Sequence, residues 1–229
     1  MGTIVEFCGL PGAGKSTVAR GLVASLRLQG VPTTEVMAPI GPTAPRAVRI
    51  RRKSTVIARG LVSRGGFEIA TNVGLRSGQA SARDRVARPA NLLVVRDAVR
   101  RARARVGVHV LDQGPIQEWW SAALRADEDR VLRWAAADPA PRADLVVRVD
   151  APLDVLVARL RRRDARQSRL EVVERQALEQ ELQHGAALLD ALCVQLVHSP
   201  GTNRPVLIRV DGFGPGAVDS VGEALRRLE

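Results

Sequence analysis

The sequence predicts an α/β protein of three layers, in which a parallel five-stranded sheet carries helices on both faces. Short apolar runs alternate along the 229 residues with longer segments of helical periodicity. This alternation is typical of parallel strands joined by crossover helices. The first apolar run also ends in a glycine-rich loop that leads straight into a helix, as the first unit of such a sheet does. At this length we expect one domain over residues 1–229 rather than two.

Each strand is predicted from a short apolar run that ends at glycine, proline or aspartate. The predicted strands are residues 3–8, 33–37, 108–112, 145–149 and 206–210. The helices are predicted from apolar residues at steps of three and four. They begin after residues 9–16 and again near residues 46, 83, 153, 178 and 217. A Gly/Ser-containing stretch separates the two basic helices of the middle region, residues 46–64 and 83–105.

The composition is strongly basic, with a formal net charge of +11. Clustered cations can bind nucleic acid, so a nucleic-acid partner is possible. We do not favour it, because Lys15 and Lys53 are the only lysines among 35 basic residues and the other 33 are arginines, a bias that base composition alone can produce. An anionic substrate is the next interpretation. No apolar run reaches the roughly 18 residues of a membrane span.

The two cysteines, Cys8 and Cys193, lack the spacing of a metal site. The first residues lack the basic region and cleavage site of a signal peptide. We therefore expect a cytoplasmic protein, and the sequence is compatible with a homodimer.

Residues 9–16, GLPGAGKS, match the pattern GxxxxGK followed by Ser or Thr, between an apolar strand and a helix. In this context the backbone N–H groups and the helix N-terminus wrap a phosphate chain. The sequence therefore predicts a P-loop that binds ATP. Lys15 is expected to contact the β- and γ-phosphates, and the Ser16 hydroxyl to hold Mg²⁺. The nucleotide-binding residues are predicted to be Gly9, Pro11, Gly12, Ala13, Gly14, Lys15, Ser16 and Thr17.

Asp112 ends the third predicted strand, which should lie beside the strand that leads into the P-loop. Sites in open α/β sheets gather at the carboxyl ends of strands. A carboxylate there can bind Mg²⁺ or accept the proton of an attacking hydroxyl. We predict a catalytic role for Asp112 and leave both functions open. Glu6, inside its strand, is interpreted as the structural partner of an arginine.

The order of these features resembles the thymidylate kinase and deoxynucleoside kinase group. The resemblance rests on the P-loop, on LDQG at 111–114, on LVVRVDAPLDV at 145–155 and on an arginine-rich segment. It implies a P-loop kinase fold with an acceptor-binding helical region at about residues 39–106 and a lid at about 159–171. It also implies that the loop at residues 211–216 lies against adenine. Gln113 departs from the pattern, because the family usually has arginine there.

The segment between Arg159 and Arg169 contains six arginines and a single opposing carboxylate, Asp164. Such self-repulsion favours an anionic partner, and arginine forks suit the oxygens of a triphosphate. We predict that Arg163, Arg166 and Arg169 are the catalytic arginines of the lid. The alternative is a solvated surface.

Together these features predict an ATP- and Mg²⁺-dependent kinase that transfers the γ-phosphate to a small acceptor. A nucleoside or a nucleoside monophosphate is the favoured acceptor. One alternative is a kinase of a sugar, antibiotic or other metabolite hydroxyl. Another is an ATP-hydrolysing regulatory or nucleic-acid-linked P-loop protein.

Overall fold

A computed structural model describes residues 1–38, 46–162, 175–198 and 204–228. The strands are β1 (Thr3–Cys8), β2 (Thr33–Glu35), β3 (Val108–Leu111), β4 (Leu145–Asp150) and β5 (Val206–Asp211). The helices are α1 (Lys15–Leu28), α2 (Arg46–Leu61), α3 (Arg64–Ile69), α4 (Ala82–Arg103), α5 (Pro115–Ala123), α6 (Glu128–Ala137), α7 (Leu153–Arg161), α8 (Arg175–His198) and α9 (Ala217–Arg226). A π-helical segment, Ala70–Arg76, follows α3.

The five strands form one sheet in the order β2-β3-β1-β4-β5, and every neighbouring pair is parallel. The α/β prediction with a five-stranded parallel sheet is therefore confirmed. The central strand, β1, lies between β3 and β4, and five of its six residues are buried. Such double-sided burial explains why β1 is a nearly continuous apolar run instead of an alternating one.

Helices cover the sheet on both sides. Helix α1 packs with α9 and contacts β1 and β3, while α4 contacts β1 and packs against α5, which in turn contacts α8. Trp119 and Trp120 of α5 are 2% and 5% exposed. Both tryptophans therefore belong to the core.

The structure differs from the prediction at the end of the second strand and in the middle region. The second strand ends at Glu35 rather than at residue 37, because β2 is an edge strand whose last ladder bond runs from Val36 N to Val110 O. The middle stretch between the basic helices is largely helical, since it contains α3 and the π-helical segment. The described helices include none that is both long and apolar enough to cross a membrane.

Candidate functional site

The glycine-rich loop lies at the carboxyl end of β1, next to the end of β4 and the loop after β5. Gly14 has φ +96°, and a Cβ at this position would lie 2.8 Å from Gly212 O. A Cβ on Gly9 would lie 2.4 Å from Val149 O. At both positions a side chain would collide with a neighbouring backbone oxygen, and φ is positive, so only glycine fits without strain. The glycine-rich loop thus lies directly against the end of β4 and the loop after β5.

Lys15 is the first residue of α1 and is 9% exposed. Its Nζ donates hydrogen bonds to Gly9 O at 2.8 Å and Leu10 O at 3.0 Å. The ammonium group therefore lies inside the curve of the loop that precedes it. Ser16 and Thr17 follow in the first turn of α1, and both are exposed. The backbone N–H groups of this first helical turn are the ones that anions bind.

Asp112 follows β3 directly, and Ser16 Oγ donates to its Oδ2 at 3.3 Å. The register places Leu111 of β3 opposite Glu6 of β1. Asp112, the next residue, therefore lies beside the strand that leads into the glycine-rich loop. The structure thus brings together the two residues that the sequence analysis assigned to Mg²⁺.

The chemistry of this pair fits magnesium. A hydroxyl and a carboxylate are hard oxygen ligands, and Mg²⁺ is usually bound by one or two protein groups together with phosphate oxygens and water. Within the described parts of the chain, no group of three or more His, Cys, Asp or Glu residues could form a more complete metal cage. Ser16 and Asp112 could therefore hold Mg²⁺ only in company with a phosphorylated ligand.

Helix α7 also contacts the glycine-rich loop, through the side chain of Arg159. The guanidinium of Arg159 lies 3.8 Å from the centre of the Phe213 ring, and its Nη1 donates to Gly12 O at 3.3 Å. This arginine therefore joins α7, the glycine loop and the loop after β5. The sequence analysis placed Arg159 in the arginine-rich segment but did not assign it to catalysis, and it did not use Phe213. Their contact joins residues 54 positions apart, and the sequence carries no signal of it beyond the local charge.

Two buried polar side chains support the loop from below. Gln117 Oε1 accepts a hydrogen bond from Gly9 N at 3.3 Å, and Glu6 Oε1 accepts one from Ile116 N at 2.6 Å. Burial raises the pKa of the Glu6 carboxyl to about 8. The interpretation of Glu6 as the partner of an arginine is wrong, because its partners are backbone N–H groups at the start of α5.

The two cysteines meet beneath the same loop. Cys8 Sγ and Cys193 Sγ lie 3.8 Å apart, and both residues are buried and free. The contact with Cys193, together with burial, raises the pKa of the Cys8 thiol. Cys8 is consequently a packed thiol next to Gly9.

Arg163, Arg166 and Arg169 lie outside the described residues, as does most of the segment at 159–171. Their assignment to a lid stays a prediction. The described part of the segment, residues 159–162, forms the end of α7 and includes the contact of Arg159 with the glycine loop.

No protein-family model matches this sequence, and a search of curated proteins finds no significant match. The fold is similar to that of deoxyadenosine kinase from M. mycoides. The structure of that enzyme with the products dCMP and a flexible dCDP has a TM-score of 0.57 and 10% identity over 98% of this chain and 100% of that chain. Its structure with bound dATP has a TM-score of 0.53 and 10% identity, with coverage of 98% and 99%. This chain therefore shares the fold of that deoxyadenosine kinase over nearly its whole length.

Proposed function

We propose that this protein is an ATP- and Mg²⁺-dependent kinase that transfers the γ-phosphate to a small acceptor, namely a nucleoside or a nucleoside monophosphate. The observation that carries the proposal is the juxtaposition of a complete phosphate loop with Ser16 and Asp112 at the carboxyl edge of the sheet. The similarity in fold to a deoxyadenosine kinase supports the same reaction class.

The triphosphate is assigned to the loop of residues 9–16 and the first turn of α1. Lys15 now donates to two loop carbonyls, and a bound triphosphate would offer oxygens to the same ammonium group. Because charge moves toward the β–γ bridge as the γ-phosphoryl group departs, a fixed cation there stabilises the transition state more than the ground state. The role of Lys15 is thus electrostatic, and it needs no proton transfer.

Ser16 and Asp112 are assigned to Mg²⁺, which when bound would neutralise charge on the β- and γ-phosphate oxygens. Asp112 has a second possible role. An acceptor hydroxyl must lose its proton as it attacks, and a carboxylate at this edge of the sheet can receive it. The hydrogen bond from Ser16 already orients one carboxylate oxygen and leaves the other for such a contact.

The adenine ring is assigned to the surface made by Arg159 and the loop after β5. Gly212 and Phe213 lie in that loop, beside the glycine loop that holds the phosphates. A guanidinium plane stacked near an aromatic ring is a common platform for a planar base. The region at about residues 39–106 is assigned to the acceptor, and Arg163, Arg166 and Arg169 to a closing lid.

The test is transfer of labelled γ-phosphate from ATP to a panel of nucleosides, nucleoside monophosphates and sugars, with products identified by mass. We expect Mg²⁺-dependent transfer to at least one nucleoside or nucleoside monophosphate. Transfer to a sugar or another metabolite alone would keep the reaction and change the acceptor. ATP hydrolysis without any acceptor, or hydrolysis stimulated by RNA or DNA, would contradict the proposal.

A further inference from the structure

A second concave surface lies along the β2 edge of the sheet. The edge strand β2 and helices α2 and α4 enclose a groove of about 700 Å³, which we call the α2–α4 groove. Five cationic side chains line it, namely Arg51, Lys53, Arg59, Arg101 and Arg105, and Glu35 is the one carboxylate in its described lining. Pockets of about 300 to 1,000 Å³ are of the size that holds small ligands.

The positive charge of the groove is only slightly compensated by the protein. Arg101 pairs with Asp97, one turn earlier on α4. Among the residues that the structure describes, no carboxylate lies within ion-pair distance of Arg51, Lys53, Arg59 or Arg105, so these four cations repel one another across a shared space. Cations on a concave surface focus the field and concentrate anions there.

The floor of the groove is apolar. Val56 of α2 and Val94, Ala98 and Ala102 of α4 contribute to its lining, and the three α4 residues are 3–4% exposed to solvent. A free inorganic anion would gain nothing from this floor. A ligand with a flat or apolar body and a phosphate group would use the floor and the arginines together.

The groove is separate from the phosphate loop. Its lining extends from Arg105 and His109 at the amino end of β3 to Glu35 and Val36 at the carboxyl end of β2, whereas the glycine loop follows β1 and Asp112 follows β3. His109 and Asp112 are three positions apart along the strand, which is roughly 10 Å. Neither Lys15 nor Ser16 belongs to the lining.

We propose that the α2–α4 groove is a binding site for a small phosphorylated molecule with an apolar or planar body, of the nucleoside monophosphate class, and that it binds independently of the triphosphate site. Ten of the lining residues lie in the region at about residues 39–106 that is assigned to the acceptor, and in this respect the proposal rests on the proposed function. Binding can still be tested apart from phosphoryl transfer, because Lys15, Ser16 and Asp112 do not line the groove. The concave shape and apolar floor favour a small ligand over a nucleic-acid backbone, which a flat or convex basic surface would bind as well.

The test is titration calorimetry with AMP in the presence of a saturating non-hydrolysable ATP analogue, so that the triphosphate site is filled. Three proteins are compared: wild type, Arg59→Ala/Arg105→Ala, and Arg100→Ala/Arg133→Ala. The last pair removes the same charge from exposed positions outside the groove lining. We expect the groove variant to bind AMP at least about tenfold more weakly, since each lost arginine removes charge-assisted hydrogen bonds to phosphate. The control pair should stay within about twofold, as expected for exposed charges.

Two further measurements keep the result specific. Adenosine, which lacks the phosphate, should bind much more weakly than AMP. Lys15→Ala, measured without the ATP analogue, should bind AMP in the groove as wild type does. This variant therefore distinguishes a failure of the kinase proposal from a failure of the groove proposal. Equal AMP affinity in the groove and control variants would overturn the proposal. Binding only of an oligonucleotide, with none of AMP, would also overturn it and identify a nucleic-acid surface.

Discussion

The phosphate loop and the α2–α4 groove both present positive charge, but they are constructed in different ways. In the loop, a single lysine is buried and fixed by two backbone carbonyls, and the glycines allow neighbouring strands to approach within contact distance. In the groove, several exposed cations stand on two helices over an apolar floor. The loop is therefore organised before any ligand binds, whereas in the groove only Arg101 among the five cations has a carboxylate partner in the described residues.

This difference indicates which single substitutions should matter. In a preorganised site each group has one position, and its loss cannot be replaced by a neighbour. In a site built of several flexible cations, a neighbouring arginine can take over part of the interaction. Function at the loop should consequently depend on individual residues, and binding in the groove should decline in steps.

The largest effect is expected for Lys15→Ala. Removal of the fixed cation should lower phosphoryl transfer by about 10³-fold or more, because transition-state charge on the γ-phosphate loses its partner. The measurement is acceptor-dependent ADP release, with thermal unfolding as the control for folding. A folded variant with wild-type turnover would contradict the assignment.

Asp112→Asn should come next, with a loss of about 10²-fold in transfer rate and nearly unchanged ATP affinity. The amide keeps the contact with Ser16 but loses the charge. The Mg²⁺ dependence of the rate separates the two roles. A metal ligand should require more Mg²⁺ after substitution, whereas a base should show the same Mg²⁺ requirement at a lower maximal rate. Unchanged transfer would reduce Asp112 to a cap of the turn after β3.

The sequence predicted those features of the phosphate site that depend on residues close together in the chain. The glycine loop, the five strands and the position of Asp112 follow from short runs of residues and from the rule that parallel strands end at one edge. The supports of the loop are contacts between distant segments. Gln117 lies 108 residues from Gly9, and Cys193 lies 185 residues from Cys8. Such pairs depend on how helices pack over the sheet, and no periodicity specifies it.

The burial of Glu6 has a consequence for stability. Its ordinary pKa of 4.5 rises to about 8 in the folded protein, so the folded state retains a proton that the unfolded state loses as pH rises through that window. The favourable contribution is complete below pH about 4.5 and is lost as pH approaches about 8. The free energy of unfolding should fall by about 1 kcal/mol per pH unit near neutrality.

Glu6→Gln tests this coupling, because the amide oxygen can still accept from Ile116 N but does not titrate. Urea unfolding at several pH values between 5 and 8 should show a flatter dependence than in wild type. Asp129→Asn, at an exposed position of α6, is the matched control and should keep the wild-type slope. If the slope of Glu6→Gln equals that of wild type, the support beneath the loop is not a protonated carboxyl.

Arginines with a structural role provide a smaller effect and sharpen the comparison with the groove. Arg148 of β4 is 4% exposed and contacts Asp150 at 2.9 Å and also Asp190 of α8, which Arg209 of β5 contacts too. Asp190→Asn should lower the free energy of unfolding by about 1–3 kcal/mol, since a buried guanidinium loses a charged partner. Glu223→Gln removes the exposed partner of Arg227 and should change stability by under about 0.5 kcal/mol. Equal effects of the two substitutions would contradict the structural role of the Arg148 cluster.

The smallest effect is expected in the groove itself. Arg59→Ala removes an exposed cation without a described carboxylate partner and relieves repulsion from Arg105 and the other cations of the groove. The free energy of unfolding should therefore stay within about 0.5 kcal/mol of wild type or rise slightly. Any gain in the free energy of unfolding should be larger at 10 mM salt than at 500 mM. The repulsion between exposed charges extends over a shorter distance at high salt, so less repulsion is left to relieve. Denaturant unfolding at the two salt concentrations measures both quantities, with Arg133→Ala as the control outside the groove. A loss of more than about 1 kcal/mol would mean that Arg59 holds the fold together as Arg148 does, and the distinction between arginines balanced by the protein and arginines left for a ligand would fail.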